Sequence, residues 1–307
     1  MQSAEIRYFL AVANTGSLSG ASKQLFVAVS AISRQIQRLE ERIGAPLFER
    51  HARGMVLNDA GQILENHVRK SMMDMEHAIA EIQGLNAVRR TVIRMACTDG
   101  LAFDLLPQLF SRFRVINPGV MFYLNVGTAG DVSEMIHSGD VDLALQFSLV
   151  AERGVDIMAS FPAPVRMVMR QNHPLAGGDL QLTDLHPYPL AMNEQGSTIR
   201  QLFDLSCRMS GIFLEPAVSC NRFSTLYDFM VQTPGAIVAC SHFSIMYKAR
   251  RDNLRVKSVN IEQLSQRTLQ LQTPAGKKHS AAVGQFIDFI RDEVARESEA
   301  FIRDFNV

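Results

Sequence analysis

The 307-residue sequence predicts an α/β protein with a small helical head, one long helix and an α/β body in two units. Three observations predict it. Between residues 29 and 43, Ile32, Ile36, Leu39 and Ile43 recur at intervals of four, three and four, the spacing of a single apolar helix stripe. Between 59 and 87, Leu64, Val68, Met72, Met75, Ile79 and Ile82 repeat that spacing on an otherwise polar segment, with Gly84 interrupting it late. From residue 92 onward, β-branched apolar runs alternate with helical patterns, as in layered α/β structures.

The head reads in order as three helices and a hairpin. A first helix is expected over 4–14, capped by Ser3 and stopped at Gly16. A second begins after Ser17, and a third runs over 29–43. On the third, Ser30, Ser33, Arg34 and Gln37 recur at three, four and seven, so they share a polar face distinct from the isoleucine stripe. A helix with one dry face and one face of Ser, Arg and Gln suits a DNA major groove. Gly54 sits where a wing hairpin must turn, and Arg50, His51 and Arg53 are placed there to meet phosphates. The candidate DNA contacts are Ser30, Ser33, Arg34, Gln37, Arg38, Arg50 and Arg53.

A resemblance rests on these residues. Gly16-Ser17, Ala21 and Leu25 come first, then Ser33-Arg34-Gln35-Ile36, Leu39-Glu40, Gly44, Leu47-Phe48 and Arg50. Arg53-Gly54 and Leu57-Asn58-Asp59-Ala60-Gly61 complete the order. Together they resemble the DNA-binding domain of the LysR-type transcriptional regulators, and the resemblance continues more weakly along the whole chain. It implies a sequence-specific regulator bound to double-stranded operator DNA. It also implies a two-lobed C-terminal domain, similar to periplasmic binding proteins, that holds a small-molecule effector between its lobes. A homodimer through the long helix, assembly into a homotetramer and contact with RNA polymerase belong to the same expectation. The chain departs from the family between the helices, where Ala28 and Val29 replace the usual Ser-Gln. Ala is a poor cap, and losing a capping Ser costs ~1 kcal/mol. Val cannot hydrogen-bond a base, though it packs on a thymine methyl. Base reading then falls to Ser30, Ser33, Arg34 or the wing.

The long helical stripe needs a partner. An antiparallel helix pair between two chains provides one, and burial on the stripe's own domain is the alternative. Arg89-Arg90-Thr91 reads as a hinge, which sets expected domains of 1–58, 59–89 and 90–307. In the last, strands over 92–97, 120–126 and 143–147 with helices over 101–116 and 131–138 predict a parallel sheet. A second unit starts near Pro162, with a strand over 165–170, helices over 198–210 and 223–232, and a strand over 237–240. The chain returns at 268–273 and closes with a helix over 281–297. Lobe I is thus expected at 90–161 plus 267–307, and lobe II at 162–266.

In open α/β sheets, ligands sit at the carboxyl ends of strands, near helix N-termini. That nominates Thr98, Asp99, Gly100, Thr128 and Gln146 from one lobe and Ser197, Thr198 and Asn221 from the other. Each also has a structural use: Asp99 and Ser197 as helix caps, Thr128 as a turn residue, Gln146 as a satisfied strand-end amide. The family often has Ser or Thr where this chain has Asp99-Gly100. A carboxylate there repels anions, so Asp99, reinforced by Glu194, favours an amine, zwitterionic or polyhydroxy effector. Phe103, Phe147 and Phe161 are aromatic candidates, although core is the commoner fate of a Phe.

Composition narrows the function classes. The formal net charge is zero. Residues 1–60 carry seven basic against five acidic residues, too weak a bias to carry a nucleic-acid claim alone. Four cysteines without close pairing make neither a disulfide framework nor a zinc site, and Cys97, Cys220 and Cys240 read as small buried thiols. The apolar stretch over 8–13 mimics a secretory core but has helical periodicity, and no run reaches membrane-spanning length. The expectation is a cytoplasmic chain with no membrane partner. A Gly-x-Ser-x-Gly elbow, a P-loop, a dinucleotide fingerprint and a metal-spaced His pair are all missing. No catalytic residue, metal ligand or cofactor is therefore expected, which disfavours an enzyme fused to a DNA-binding head. The head and the missing leader disfavour a transport solute-binding protein.

Overall fold

Helix α1 (Ala4–Thr15) starts where the Ser3 hydroxyl accepts from the Ile6 amide, and it ends on Gly16 in the left-handed region. Ser17 caps α2 (Leu18–Leu25) in the same way. By contrast α3 (Val29–Ile43) opens on Ala28 without a side-chain cap. Then β1 (Phe48–His51) pairs antiparallel with β2 (Gly54–Leu57), and α4 (Asp59–Gly84) follows. In this computed structural model the described residues are 3–51, 54–84 and 91–307, and the chain divides into two units, Met1–Ala78 and Ile79–Val307.

The head is built on the α3 stripe. Ile32, Ile36 and Leu39 are buried with Phe9, Val12, Ala21 and Leu47, each side chain contributing ~1.5–3 kcal/mol. Ile43 departs from the expected stripe: it is 43% exposed, because it ends the helix beyond that core. The wing is tied to the turn after α1, with the Met55 amide donating to the Gly16 carbonyl at 2.8 Å. A Cβ on Gly54 would lie 2.4 Å from that same oxygen, so only glycine allows the approach. The α4 stripe is divided. Leu64, Val68 and Met72 pack against the head, whereas Met75 and Ile79 are exposed, and the Ile82 side chain lies outside the described ones.

In the second unit β3 (Thr91–Thr98) leads into α5 (Asp99–Phe103) and α6 (Leu105–Ile116). Next come β4 (Val120–Gly127), α7 (Ala129–Ser138), β5 (Leu143–Ser148) and β6 (Val155–Pro162). The single helix expected over 101–116 is thus broken at Asp104. The buried Asp104 carboxylate accepts from the amides of Tyr247 at 2.7 Å and Lys248 at 3.0 Å, a partner the local sequence does not announce. The other lobe holds β7 (Arg166–Arg170), β8 (Leu190–Asn193), α8 (Thr198–Met209), β9 (Val218–Cys220), α9 (Phe223–Gln232), β10 (Ile237–Cys240), α10 (Lys248–Arg251) and β11 (Leu254–Lys257). The chain returns through β12 (Thr268–Pro274) to α11 (Ala281–Phe305).

Two five-stranded sheets result, ordered β4-β3-β5-β12-β6 and β11-β7-β10-β8-β9. Neither is purely parallel, as the strand–helix alternation had suggested. β12 runs antiparallel to β5 and β6, and β7 antiparallel to β10 and β11, because each enters its sheet on a crossing between lobes. The two crossings lie side by side: the Ala163 amide donates to the Arg267 carbonyl at 2.8 Å, and Arg267 Nε donates to the Ala163 carbonyl at 3.0 Å. Among the described residues no helix is long and apolar enough to cross a membrane.

Candidate functional site

On α3 Ile32, Ile36 and Leu39 face the core and the polar residues face out. Ser30, Arg34, Gln37 and Arg38 are exposed and Ser33 is half-buried. Neither Arg34 nor Arg38 has an acidic partner among the described residues, so both guanidiniums are available to phosphate or base edges. Gln37 donates to Glu41 at 3.1 Å, and Arg42 is held by Glu5 at 2.9 Å. On the wing Arg50 is exposed opposite Met55, and His51 pairs with Glu49 at 3.3 Å. Arg53, and Arg89 and Arg90 where a hinge was expected, lie outside the described residues. Sequence reasoning passed over Phe26. It stands in the turn before α3 at φ 54°, 95% exposed, and Val29, three positions later, is exposed as well. Two exposed apolar side chains at the start of α3 are of the type that can pack on thymine methyls. The only sequence signal was an apolar residue in a turn.

Between the lobes of the second unit is a cleft of about 470 Å³. Thr98, Asp99 and Gly100 reach it from the end of β3, and Thr128 from the start of α7. Ser197 and Thr198 reach it from the start of α8, and Asn221 from the loop after β9. Gln146 does not. On β5 side chains alternate between faces, and Phe147 takes the cleft side while Gln146 is buried on the other. Its amide donates to Gln272 at 2.8 Å and Glu152 at 3.0 Å, which is the satisfied strand-end amide and not a ligand contact. Several hydroxyls are committed to caps. Thr128 and Asp131 form a capping box, and Ser197 accepts from the Arg200 amide at 3.2 Å. Gly100 has a packing reason as well, since a Cβ there would lie 2.7 Å from Ser244 Oγ.

The charge expected of Asp99 is already compensated. Its carboxylate accepts from the Phe223 amide at 2.6 Å and from Arg222 at 3.2 Å. Both partners come from the other lobe, more than a hundred residues away, so the sequence argument for an amine loses its premise. Glu194 lines the cleft from an exposed position. Phe103 packs against Phe223 and Tyr227 and Phe161 against Phe243, so both are core rather than cleft. The opposite charge is the one sequence reading missed. Arg267, 1% exposed, lies at the cleft floor with its guanidinium 4.1 Å from the Phe147 ring centroid. Nearby, burial and then the charges of Arg166 and Arg267 hold the His242 imidazole down to about 3. Burial pushes the Cys97 and Cys240 thiols up to about 12, so neither carries thiolate character near neutral pH.

Comparisons with known proteins agree with this geometry. The family described as the LysR substrate binding domain matches residues 86–295, and the bacterial regulatory helix-turn-helix protein family of lysR type matches residues 4–62. The chain is 27% identical to the RuBisCO operon transcriptional regulator of Allochromatium vinosum, over 95% of this chain and 96% of that one. It is 32% identical to the transcriptional dual regulator GltC of Bacillus subtilis, over 69% of this chain and 71% of GltC. Among solved structures, a full-length OxyR variant from Pseudomonas aeruginosa aligns with a TM-score of 0.65 at 16% identity, covering 96% of this chain and 94% of that one. Full-length CbnR complexed with its target DNA aligns at 0.61 and 18% identity, covering 95% and 99%. These last two carry the fold alone; the sequence matches carry the family. The chain belongs to the LysR family of DNA-binding transcriptional regulators.

Proposed function

We propose that this regulator reads operator DNA with Ser30, Ser33, Arg34, Gln37 and Arg38 of α3, holds the backbone with Arg50 and Arg53 of the wing, and has its activity set by a small polar metabolite in the inter-lobe cleft. The observation that carries the second half is the cleft itself: its walls come from both lobes, and the chain passes between them at two adjacent crossings. A ligand touching both walls binds one lobe arrangement better than another, which is the physical requirement for a switch. The role is regulatory rather than catalytic. The exposed pair Met75 and Ile79 supports a homodimer through α4, with a tetramer as the family's larger assembly, and contact with RNA polymerase follows from a regulatory role. Footprinting the DNA beside its own gene with the full chain tests the reading. A protected segment lost in Arg34→Ala supports it, and protection unchanged in that variant removes α3 as the reading helix.

A further inference from the structure

We infer that the effector is a small organic carboxylate whose anionic group is received at the cleft floor by Arg267 and the first turn of α8. The inference rests on the cleft reading above and adds the chemical class of its ligand. Arg267 Nη2 is buried without a hydrogen-bond partner, and no carboxylate pairs with the guanidinium among the described residues. Its remaining donors are engaged weakly or structurally: Nη1 to Thr198 Oγ1 at 3.4 Å, and Nε to the Ala163 carbonyl. A buried cation left in this state is costly and gains most from an arriving anion. Burial pushes the guanidinium down to about 9, the same penalty seen from the proton's side.

Three further features favour an anion at this point. Thr198 and Ile199 open α8, a helix of 12 residues, and both line the cleft. Their amides have no intrahelical acceptor by helix geometry, and the positive end of the helix faces the same space. Across the cleft, Thr98 Oγ1 is also buried without a partner, a second donor from the opposite lobe. Of the acids that line the cleft, Asp131 is spent in the Thr128 capping box and Asp99 on Arg222 and the Phe223 amide, while Glu194 stands at an exposed position of the wall. Phe147 and Phe223 supply an apolar wall for the rest of the molecule. Because Arg267 stands on the crossing between lobes, an anion bound to it acts on the segment that sets their arrangement.

The test uses the full chain and two matched probe sets: butyrate, butyramide and butylamine, and benzoate, benzamide and benzylamine. Thermal melting and titration calorimetry at millimolar probe concentration provide the readout. The carboxylates are expected to bind saturably and raise the melting temperature, with the neutral and cationic partners inert. Arg267→Gln should weaken carboxylate binding about tenfold or more. If that variant does not fold, Arg267→Lys keeps the charge without the planar fork, and Thr198→Val removes the hydroxyl. Either should weaken the same binding. Carboxylate affinity unchanged in these variants, or amides and amines binding as well as the acids, overturns Arg267 as an anion anchor and leaves the cleft reading standing. No binding by any of the six probes overturns both, while operator retardation by the same preparation would keep the DNA-binding assignment intact.

Discussion

Arg34 and Arg50 are both exposed and, among the described residues, both without an acidic partner, yet they stand on different surfaces and are expected to fail differently. Arg34 projects from the polar face of α3, which the proposed reading places in the groove. Removing it should cost about 1–3 kcal/mol of discrimination at one base position. Arg50 stands on the wing, where the proposed reading has its guanidinium meet phosphate. Arg50→Ala should weaken all sequences alike and lower the salt slope by about one. Gel retardation over a salt series, with operator and scrambled DNA, separates the two; identical behaviour of the two variants would undo the division of labour. His242 makes a second case, one of stability. Its ring is buried against Ser298 Oγ at 2.9 Å and held down to about 3, whereas an unfolded histidine titrates near ~6.5. Below pH ~6.5 the unfolded chain binds a proton that the folded chain refuses, so this contribution is complete above that pH and is lost as pH falls toward 3. His242→Gln should flatten the fall of melting temperature with acid, and an equally steep fall in both proteins would disprove it. Individual site residues were unevenly legible. Thr98 and Ser197 follow from strand ends and caps, but the face that Gln146 presents depends on strand register, which nothing local fixes.

The helices were the legible elements, because their apolar periodicity is long enough to survive one exception such as Ile43. Short strands were not. β8 and β9 have four and three residues, too few to show alternation. They exist because parallel neighbours complete their hydrogen bonding. The break between α5 and α6 was invisible for a related reason, since Asp104 is turned by backbone amides some 143 positions later. For α4 the sequence left two readings open, own-domain burial and a helix pair between chains, and the structure divides them along the helix. Leu64, Val68 and Met72 are spent on the head, while Met75 is 50% exposed and Ile79 42%. Two large apolar residues at that spacing on a helix exterior are expected to be covered by a second copy. Met75→Asp should place an unpaired charge in that contact and shift sedimentation from dimer toward monomer, leaving the fold of the head unchanged. A wild-type chain that sediments as a monomer at micromolar concentration would rule the dimer contact out without any variant.

At the scale of the whole molecule, what the sequence could place was the cleft, and what it could not place was the cleft's charge. Strand ends and helix starts nominate a cleft from local pattern alone. The electrostatics depends on residues far apart in the chain: Asp99 with Arg222 and Phe223, Arg267 with Ala163 and Thr198. Asp99 was read as a repulsive carboxylate open to the ligand, whereas it joins the start of α5 in one lobe to the start of α9 in the other. That role makes a prediction opposite to the one drawn from charge alone. The Arg222 pair is more than half exposed on the arginine side and contributes little in water. The Phe223 amide bond to a carboxylate is the larger part, at about 1–2 kcal/mol. Asp99→Asn should therefore lower the melting temperature of the full chain while leaving carboxylate affinity at the cleft unchanged or improved. It removes a negative charge and frees Arg222 at the mouth. If the variant is as stable as wild type, Asp99 does not hold the lobes together. If amines bind the wild-type chain and lose affinity in this variant, the compensation of its charge has been misjudged, because removing a carboxylate that was already neutralised should not cost a cation its binding.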